Sequence, residues 1–481
     1  MSTTLPHDPA LPQLARALDG AAMAQVFGAA LGGLHVQSCK VVRVKYRPGR
    51  NCSVSYVLAL HDEVRGCAVE QRVAARFCCG GDAARRHRQA LGRATLASAA
   101  GPALTHLPAL DMLAHWWPND AKLDAPAWLD DAARLRNHGL DAVVAALTGG
   151  CGSWVAHRMS LVQYVPELRV CARVELQLRP APGAPVTTHT LYAKADTARS
   201  GAATQALLLA LQNSPAQAGG RLRTPQPLLW QAEPGLHWQL AVPGRALLDV
   251  DPHVGPTTSA RVGAQLAALH ATKVPLPRTL TITSWREAPR RVAELLGRVE
   301  PGWAPLLTRL AGLLEAGARG RMEALARETA VTLHGDLHPR NILLDGPALA
   351  FIDLDDACAG PAVIELGAWV GDALYRVLLA AEASSQAASS QTASSQSALT
   401  QSALPWRAFI AAYEAASGRA VDESLLAWST AHHLLCQRAY RCVVNLKPGR
   451  FEAVPQVLAL AEVIASAGTV DAAVACERAL A

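Results

Sequence analysis

Residues 331–345 read VTLHGDLHPRNILLD, and residues 351–356 read FIDLDD. In this stretch Asp336 is followed five residues later by Asn341, and Asp353 comes 17 residues after Asp336. Asp353 ends a short apolar run that is typical of a buried strand. Apolar residues and an Asp-Gly-Pro turn lie between Asn341 and that run, and they predict a β-hairpin. The hairpin is expected to bring Asp353 back beside Asn341.

The residue types in this stretch suit phosphoryl transfer. The interval from Asp336 to Asn341 equals that between the Asp and Asn of the kinase catalytic loop H-R-D-x-x-x-x-N. A hydroxyl that attacks the γ-phosphate of ATP needs a carboxylate to orient it and accept its proton, and Asp336 is the candidate. Mg²⁺ prefers oxygen ligands, which Asn341 and Asp353 can supply. His334 is expected to brace the loop through hydrogen bonds. The alternative interpretation is a surface turn with a few polar residues and an aspartate in a buried strand.

The segments His334-Gly-Asp336, Asn341 and Ile-Asp353 resemble the Brenner-type motif of the aminoglycoside phosphotransferase and choline kinase superfamily. The resemblance is strong over the catalytic segment and extends more weakly from about residue 155 onward. It implies an α+β, bilobal protein-kinase-like fold with an antiparallel β small lobe and a mainly helical large lobe. It also implies ATP and Mg²⁺ as cofactors, Asp336 as catalytic base, and Asn341 and Asp353 as metal ligands. The superfamily often has Asp after the metal-binding strand; Glu365 stands there and is a structural candidate only.

The small lobe is predicted to be duplicated. A strand, a Pro-containing turn and a second strand begin near residue 40, and the same pattern begins near residue 160. Tyr46 and Tyr164 lie 118 positions apart, as do the prolines of the two turns. An internal repeat of this kind predicts two similar β-sheets. The alternative is that two unrelated hairpins share Tyr-x-Pro by accident.

The third strand of the second copy supplies a lysine. A kinase small lobe uses a lysine on this strand to hold the α- and β-phosphates of ATP. Lys194 lies there, whereas Arg76 occupies the matching place in the first copy. We therefore predict that Lys194 binds the nucleotide and that the first copy has a scaffolding or substrate-covering role. The alternative for Lys194 is a solvent-facing strand lysine.

Two kinase signatures are missing from the second copy. Residues 166–169 (PELR) occupy the turn where a glycine-rich loop would lie over the phosphates, and Arg169 is a candidate to approach a phosphate instead. The helix predicted after Lys194, at about residues 203–212, contains no Asp or Glu to pair with this lysine. The missing carboxylate motivates a second hypothesis, a pseudokinase-like nucleotide-binding or scaffolding protein.

Composition narrows the remaining classes. The net charge of +6 is small for 481 residues, and the basic residues are scattered, so nucleic-acid binding is not indicated. No apolar run approaches the roughly 18 residues of a membrane span, and the start of the sequence does not resemble a secretory signal. The 11 cysteines include no Cys-x-x-Cys pair, which favours reduced thiols in a cytoplasmic protein. We expect a small-molecule partner with a hydroxyl group, no nucleic acid and no membrane.

The predicted domains are an N-terminal helical segment (1–35), a first β repeat with connector (36–150), the nucleotide-binding lobe (151–245) and a helical lobe (246–481). Residues 383–403 form a Ser/Ala/Gln/Thr tract and are predicted to be a disordered or weakly helical insertion. Amphipathic helices follow, and the superfamily resemblance implies that they shape the acceptor pocket. Polar residues that can face this pocket, or can instead be solvated or bridging, are Asp372, His432, Arg438 and Arg441.

The main hypothesis is therefore a kinase that moves the γ-phosphate of ATP to a hydroxyl of a sugar, an aminoglycoside-like molecule or an amino alcohol. The sequence leaves the acceptor open, because acceptor specificity depends on the C-terminal helices rather than on the catalytic loop.

Overall fold

The computed structural model describes residues 5–31, 35–62, 66–93, 95–198, 200–280, 282–327, 329–387 and 396–473. The chain folds into two compact units. Unit 1 comprises residues 1–205, 227–241 and 444–447, and unit 2 comprises residues 206–226, 242–443 and 448–481. The four-segment domain division stays a prediction. None of the described helices combines the length and apolar character that a bilayer crossing requires.

Unit 1 contains two five-stranded antiparallel sheets with the same strand order. The first sheet has the order β1-β2-β3-β5-β4 and the second has the order β6-β7-β8-β10-β9. The strands are β1 (His35–Arg47), β2 (Asn51–Asp62), β3 (Cys67–Phe77), β4 (Leu104–Leu107), β5 (Met112–Trp116), β6 (Ser153–Val165), β7 (Arg169–Arg179), β8 (Thr187–Asp196), β9 (Pro227–Gln231) and β10 (Leu236–Leu240). The identical order, including the β3–β5 and β8–β10 pairings, confirms the predicted duplication.

Alternation of apolar and polar residues explains the strands of the second sheet. On β7, every second residue from Val170 to Leu178 is buried, so one face packs inward and the other carries charged residues such as Arg173. The buried face meets Trp238 from β10 and apolar helix residues that include Leu140. Full burial of each large apolar side chain contributes about 1.5–3 kcal/mol, so this face fixes the register of the strands.

Each sheet is tied to the chain before it by the same polar arrangement. An aspartate upstream of the sheet accepts one hydrogen bond from a tyrosine hydroxyl at the end of the first long strand and another from an amide in the following turn. The aspartate, tyrosine and turn residue are Asp8, Tyr46 and Gly49 in the first copy (both bonds 2.8 Å), and Asp120, Tyr164 and Glu167 in the second (2.6 and 3.0 Å). The duplication therefore extends to side-chain hydrogen bonds.

Short helices precede and follow the long strands of unit 1. They are α1 (Leu14–Leu18), α2 (Gly20–Leu31), α3 (Asp82–Ala90), α4 (Ala125–Asp130), α5 (Ala132–Leu135) and α6 (Asp141–Thr148), and α7 (Gly201–Gln212) runs from unit 1 into unit 2. In each copy one helix follows the third strand, α3 after β3 and α7 after β8. The predicted helix after Lys194 is thus observed, and it begins two residues earlier than expected.

Unit 2 is mainly helical, with two small sheets of order β11-β13-β14 and β12-β15. Its strands are β11 (Arg245–Ala246), β12 (Val331–Leu333), β13 (Ile342–Asp345), β14 (Ala348–Phe351) and β15 (Cys358–Gly360). Its helices are α8 (Pro215–Ala218), α9 (Leu247–Val250), α10 (Pro256–Ala271), α11 (Ile282–Val299), α12 (Ala304–Arg327), α13 (Ala362–Ala387), α14 (Gln396–Ser417), α15 (Glu423–His433), α16 (Tyr440–Asn445) and α17 (Val454–Ala467), with a π-helical turn, Leu434–Ala439, between α15 and α16.

Helices α10 and α14 of unit 2 pack closely against each other. A Cβ at Gly263 would lie 2.2 Å from the carbonyl oxygen of Phe409 on α14, so only glycine allows these two helices to approach as they do. Within the predicted insertion, residues 383–387 extend α13 and residues 396–403 belong to α14, and residues 388–395 lie outside the described residues. These elements confirm an α+β fold with antiparallel sheets, a duplicated β region and a mainly helical unit that carries the catalytic segment.

Candidate active site

The predicted catalytic loop connects β12 to β13 in unit 2. Gly335 begins it with φ +85°, a left-handed conformation, and a Cβ at this position would lie 2.0 Å from the carbonyl oxygen of Asp356. The sequence has glycine here instead of the arginine of H-R-D because no side chain fits. Pro339–Asn341 then form a single 3₁₀ turn that leads into β13. Asp336 follows Gly335 in this loop, and its side chain is half-buried.

The predicted hairpin is confirmed and lies next to this loop. β13 and β14 pair antiparallel, with Ile342 opposite Phe351. The amide of Ile352 donates to the carbonyl of Asn341 (2.9 Å), so the residue before Asp353 is held beside Asn341. The side-chain Nδ2 of Asn341 donates to the carbonyl of Asp336 (3.0 Å). Asp336, Asn341 and the strand end before Asp353 are therefore linked by one side-chain and one main-chain hydrogen bond of Asn341.

Asp353 has an unusual backbone. Its φ of +64° is left-handed, a conformation that L-residues other than Asn and Asp seldom adopt. Strained backbone of this kind persists where the surrounding structure fixes it, often at functional sites. Here a buried strand end on one side and the 3₁₀ turn Leu354–Asp356 on the other hold the residue. The conformation sets the direction of the Asp353 carboxylate at the point where the hairpin ends.

His334 joins the two halves of this segment, as the sequence predicts. Its side chain is fully buried, and its Nδ1 accepts a hydrogen bond from the amide of Asp336 (3.4 Å). The other nitrogen, Nε2, therefore carries the proton and donates to the carbonyl of Ile352 (3.0 Å). One imidazole thus fixes the distance between the loop of Asp336 and the strand end at Asp353.

Glu365, on the first turn of α13, braces the same loop from behind. Its carboxylate is buried and accepts the amides of His334 (2.9 Å) and Gly335 (2.8 Å) and the Nε2 proton of His270 (3.0 Å). The Nδ1 of His270 in turn lies 2.9 Å from the hydroxyl of Tyr413. Burial opposes the charge, but the hydrogen bond from His270 and the charge of His270 outweigh it and keep the pKa of Glu365 below its ordinary value. The carboxylate is therefore ionised while it holds the loop.

The charges around Asp336 keep this carboxylate ionised as well. Burial raises its pKa, but the neighbouring His338, together with Arg441 and His334, lowers the pKa to about 2. The Nε2 of His338 lies 3.6 Å from one carboxylate oxygen of Asp336, and an Nη of Arg441 lies 3.6 Å from the other. A carboxylate of such low pKa is a weak base, so it can orient a hydroxyl well but accepts the proton only late in the reaction.

Arg441 is part of a wider group of arginines on the C-terminal helices. Arg438 pairs with Asp372 on α13 (2.8 Å) and donates to the ring of His433 (3.1 Å). Burial, then the charges of Arg438 and Arg441, hold the pKa of His433 well below its ordinary value. The same Asp372 also pairs with Arg376 (3.3 Å). Three arginines, Arg376, Arg438 and Arg441, therefore lie on this side of Asp336 with two carboxylates, Asp372 and Asp251, the latter acting on Arg376.

Lys194 lies on β8 of unit 1. It is half-buried, and its strand neighbours are Cys171 on β7 and His237 on β10. His237 is 2 % exposed, and burial, followed by the charge of Lys194, lowers the pKa of His237 to about 4. Lys194 therefore shares its part of the sheet with an uncharged imidazole at neutral pH. The nucleotide role of Lys194 stays a prediction.

A comparison with models of protein families shows the family of this chain. The model of the phosphotransferase enzyme family (APH) matches residues 132–396, more than half of the chain. The chain belongs to this family. The match spans the second sheet and the catalytic segment, and it begins after the first sheet. The first sheet lies outside the matched residues.

Solved structures of similar proteins include kinases of small molecules. A choline/ethanolamine kinase family protein from Mesorhizobium loti is 13% identical, with 71% of this chain and 98% of that chain covered and a TM-score of 0.43. A choline kinase from Cryptosporidium parvum is 10% identical, with 67% and 92% covered and a TM-score of 0.44. A thermostable mutant of the aminoglycoside phosphotransferase APH(4)-Ia is 14% identical, with 68% and 99% covered and a TM-score of 0.42. No curated protein matches the chain.

The sequence predicts the loop of Asp336 but not all of the residues that hold this loop in place. His338 was not predicted, although a histidine two residues after Asp336 is in reach of that carboxylate. Glu365 is only a structural candidate in the sequence, and the structure places it with His270 as a buried pair that holds the loop. Arg441 was one of four polar candidates, and the structure places it against Asp336.

Proposed function

We propose that this member of the phosphotransferase enzyme family moves the γ-phosphate of ATP to a hydroxyl of a small molecule and requires Mg²⁺. The arrangement of Asp336, Asn341 and Asp353 around one braced loop carries the proposal. In it, Asp336 orients the attacking hydroxyl and receives its proton, and Lys194 holds the α- and β-phosphates. Positioning and charge neutralisation provide most of the catalysis, since phosphoryl transfer needs little covalent chemistry from the protein.

The donor set fits Mg²⁺. Mg²⁺ in kinases takes one or two protein oxygen ligands, together with phosphate oxygens and waters. Asp353 offers a carboxylate, and the amide of Asn341 is turned so that its Nδ2 faces the protein, which leaves Oδ1 as the ligand atom. Among the described residues no group of three or more His, Cys, Asp or Glu side chains is arranged to hold a metal ion. A bound Mg²⁺ would neutralise charge on the β- and γ-phosphates.

The charges near Asp336 support an acceptor without a positive charge. A quaternary or primary ammonium group beside the attacking hydroxyl would meet Arg441 and the excess of arginine around Asp372. Like charges in a partly dehydrated site disfavour binding. Of the expected acceptors, we therefore favour a sugar over an amino alcohol or an aminoglycoside. The same charges add a negatively charged hydroxyl compound to the candidates.

The alternative is a catalytically weak, pseudokinase-like nucleotide-binding or scaffolding protein. Helix α7 contains no carboxylate that could orient Lys194, and the first sheet has no counterpart in the family match. Localisation in the cytoplasm is part of the proposal, and it is supported by cysteines of which none in the described residues forms a disulfide.

Thermal unfolding with Mg-ATP, followed by ADP release with a panel of hydroxyl compounds, tests the proposed function. We expect Mg-ATP to raise the Tm of the wild type and not of Asp353→Ala. We expect turnover of a panel member to fall about 10²–10⁴-fold in Asp336→Asn, since that is the usual contribution of a positioned base. Nucleotide binding without turnover of any sugar, acidic, neutral or cationic acceptor would support the scaffolding alternative.

A further inference from the structure

Unit 1 contains a cavity of about 200 Å³ that lies on the first sheet, away from the strand of Lys194. Strands β2 and β3, helix α3 and the turn between β6 and β7 form its walls. Its charged lining consists of four cations and two carboxylates: Arg76, Arg86, Arg93, Lys122, Asp120 and Glu167. His115 also lines it, and burial lowers the pKa of this ring, so the ring adds no charge at neutral pH. The excess of positive charge favours an anion.

The duplication relates this cavity to the nucleotide site that is predicted in the second copy. Arg76 pairs with Ser53 on the neighbouring strand, just as Lys194 pairs with Cys171 in the second copy. Arg76 therefore occupies, in the first sheet, the position that the predicted phosphate-binding lysine occupies in the second. A guanidinium offers a planar fork of donors that matches two oxygens of a phosphate. Helix α3 follows the strand and adds Arg86 to the same wall, and the Nε of Arg86 also pairs with Asp82 of this helix (2.6 Å).

The described residues satisfy only part of the hydrogen-bond donors of the Arg76 guanidinium. One Nη pairs with the carboxylate of Glu167, while the Nε is buried and has no hydrogen-bond partner among the described residues. A buried donor without a partner is unfavourable. A phosphate that takes over from Glu167 would present oxygens to both sides of the fork. Glu167 thus acts as an internal competitor for this position.

Glu167 connects the cavity to the second sheet. Its φ is +62°, matching Gly49 in the first copy at +67°, so a residue with a side chain stands where the turn favours glycine. The carboxylate of Glu167 pairs with Arg76 and lies 3.5 Å from Lys122, and its amide donates to Asp120. This turn joins β6 to β7 in the sheet of Lys194, at the place where kinases have the loop over the phosphates. An anion bound in the cavity would attract Arg76 and Lys122 and so weaken their pairing with Glu167.

We propose that this cavity binds a small phosphate-bearing molecule through Arg76, Arg86 and Lys122, and that binding releases Glu167 and changes the conformation of the turn Val165–Arg169. The volume limits the ligand. Sites for drug-sized ligands measure about 300–1,000 Å³. The cavity is smaller, so it suits inorganic phosphate, diphosphate or a small phosphate ester. Only the effect on nucleotide affinity rests on the proposed kinase function.

Isothermal titration with inorganic phosphate and diphosphate, at constant ionic strength and without Mg²⁺, tests the binding. We expect Arg76→Gln to weaken binding about tenfold or more, as expected for loss of a charged hydrogen-bond partner. Arg72→Gln is the matched control, because Arg72 lies on the same strand and face but outside the cavity. Glu167→Gln should bind several-fold more tightly than wild type, since it removes the competing carboxylate. A general loss of structure cannot produce this gain.

Two further measurements separate the possible results. Lys194→Ala should keep the phosphate affinity of the wild type; loss of binding in this variant with retention in Arg76→Gln would place the phosphate in the nucleotide site and overturn the proposal. No heat of binding at millimolar phosphate, or equal binding by wild type and Glu167→Gln, would also overturn it.

Diphosphate should change the Kd of Mg-ATP about fivefold or more in wild type and not in Arg76→Gln. A wild type that binds no Mg-ATP would refute the kinase function alone and leave the phosphate site standing.

Discussion

Replacement of Glu365 is the most informative test of the site, because this residue touches the catalytic loop without belonging to it. The loop of Asp336 depends on one carboxylate that accepts two loop amides and the ring proton of His270. Glu365→Ala removes the acceptor and leaves three buried donors. Glu365→Gln keeps the shape but replaces one oxygen by an NH₂ group that faces a donor. Both variants therefore disturb the same loop, and Glu365→Ala disturbs it more than Glu365→Gln.

The magnitudes follow from the hydrogen bonds. A buried donor left without a partner costs about 1–3 kcal/mol, and a hydrogen bond to a charged acceptor contributes about 1.5–3 kcal/mol. We expect Glu365→Ala to lose roughly 4–6 kcal/mol of unfolding free energy, a large part of the 5–15 kcal/mol that stabilises a typical domain. We expect Glu365→Gln to lose about 2–3 kcal/mol and to remain folded. Because a displacement of about 1 Å can cost 10²-fold in rate, turnover should fall at least about tenfold in Glu365→Gln.

Urea unfolding at pH 7 and ADP release measure the two effects, with Glu294→Gln as control. Glu294 is 62 % exposed on α11 and pairs with Arg290, so its replacement should change stability by less than about 0.5 kcal/mol. The pKa of Glu365 is lowered in the folded protein, so its contribution is present above the unfolded pKa of about 4.3 and is lost as the pH falls through the folded pKa. An unchanged urea midpoint and unchanged turnover in Glu365→Gln would refute the idea that this carboxylate holds the loop.

Three further outcomes are expected. Gly335→Ala should yield little folded protein, because its Cβ would lie 2.0 Å from the Asp356 carbonyl at a φ of +85°; a Tm within 2 °C of wild type would contradict this. The wild type should lose about 3 kcal/mol of unfolding free energy as the pH falls from 6.5 to about 4, because His237 binds a proton there only in the unfolded state. His237→Phe should abolish this loss, as measured by urea titrations at both pH values. Arg441→Gln should raise the pKa of Asp336 and increase the KM of an anionic acceptor more than that of ATP; equal changes in both KM values would assign Arg441 to the nucleotide.

The sequence predicts those parts of the site whose partners are close along the chain. Asp336 and Asn341 are five residues apart, and the hairpin that returns the chain to Asp353 is local, so spacing and turn chemistry are sufficient. The repeat is also readable, because both copies keep a tyrosine and a proline at the same interval. These predictions need no knowledge of tertiary contacts.

The parts that could not be predicted depend on distant partners. His270 and Glu365 are 95 residues apart, and each residue type is compatible with a packed core or a solvated surface until the fold joins them. Arg441 reaches Asp336 from a helix whose amphipathic pattern fixes its buried face but not the target of its polar side chains. The aspartates that hold each turn are distant from it as well. Their common role becomes visible only when the two copies are compared in three dimensions.

The differences between the two sheets are as informative as their similarity. Both keep the aspartate, the tyrosine and the left-handed turn residue, which hold the same turn in each copy. The copies differ at the turn, where Gly49 corresponds to Glu167, and on the third strand, where Arg76 corresponds to Lys194. These two changes are not independent, because Glu167 of one copy pairs with Arg76 of the other. A duplicated sheet retained only as a scaffold has no need of a glutamate in a left-handed conformation that pairs with a half-buried arginine. A sheet in which occupancy of the cavity changes the conformation of the neighbouring turn requires such a pair.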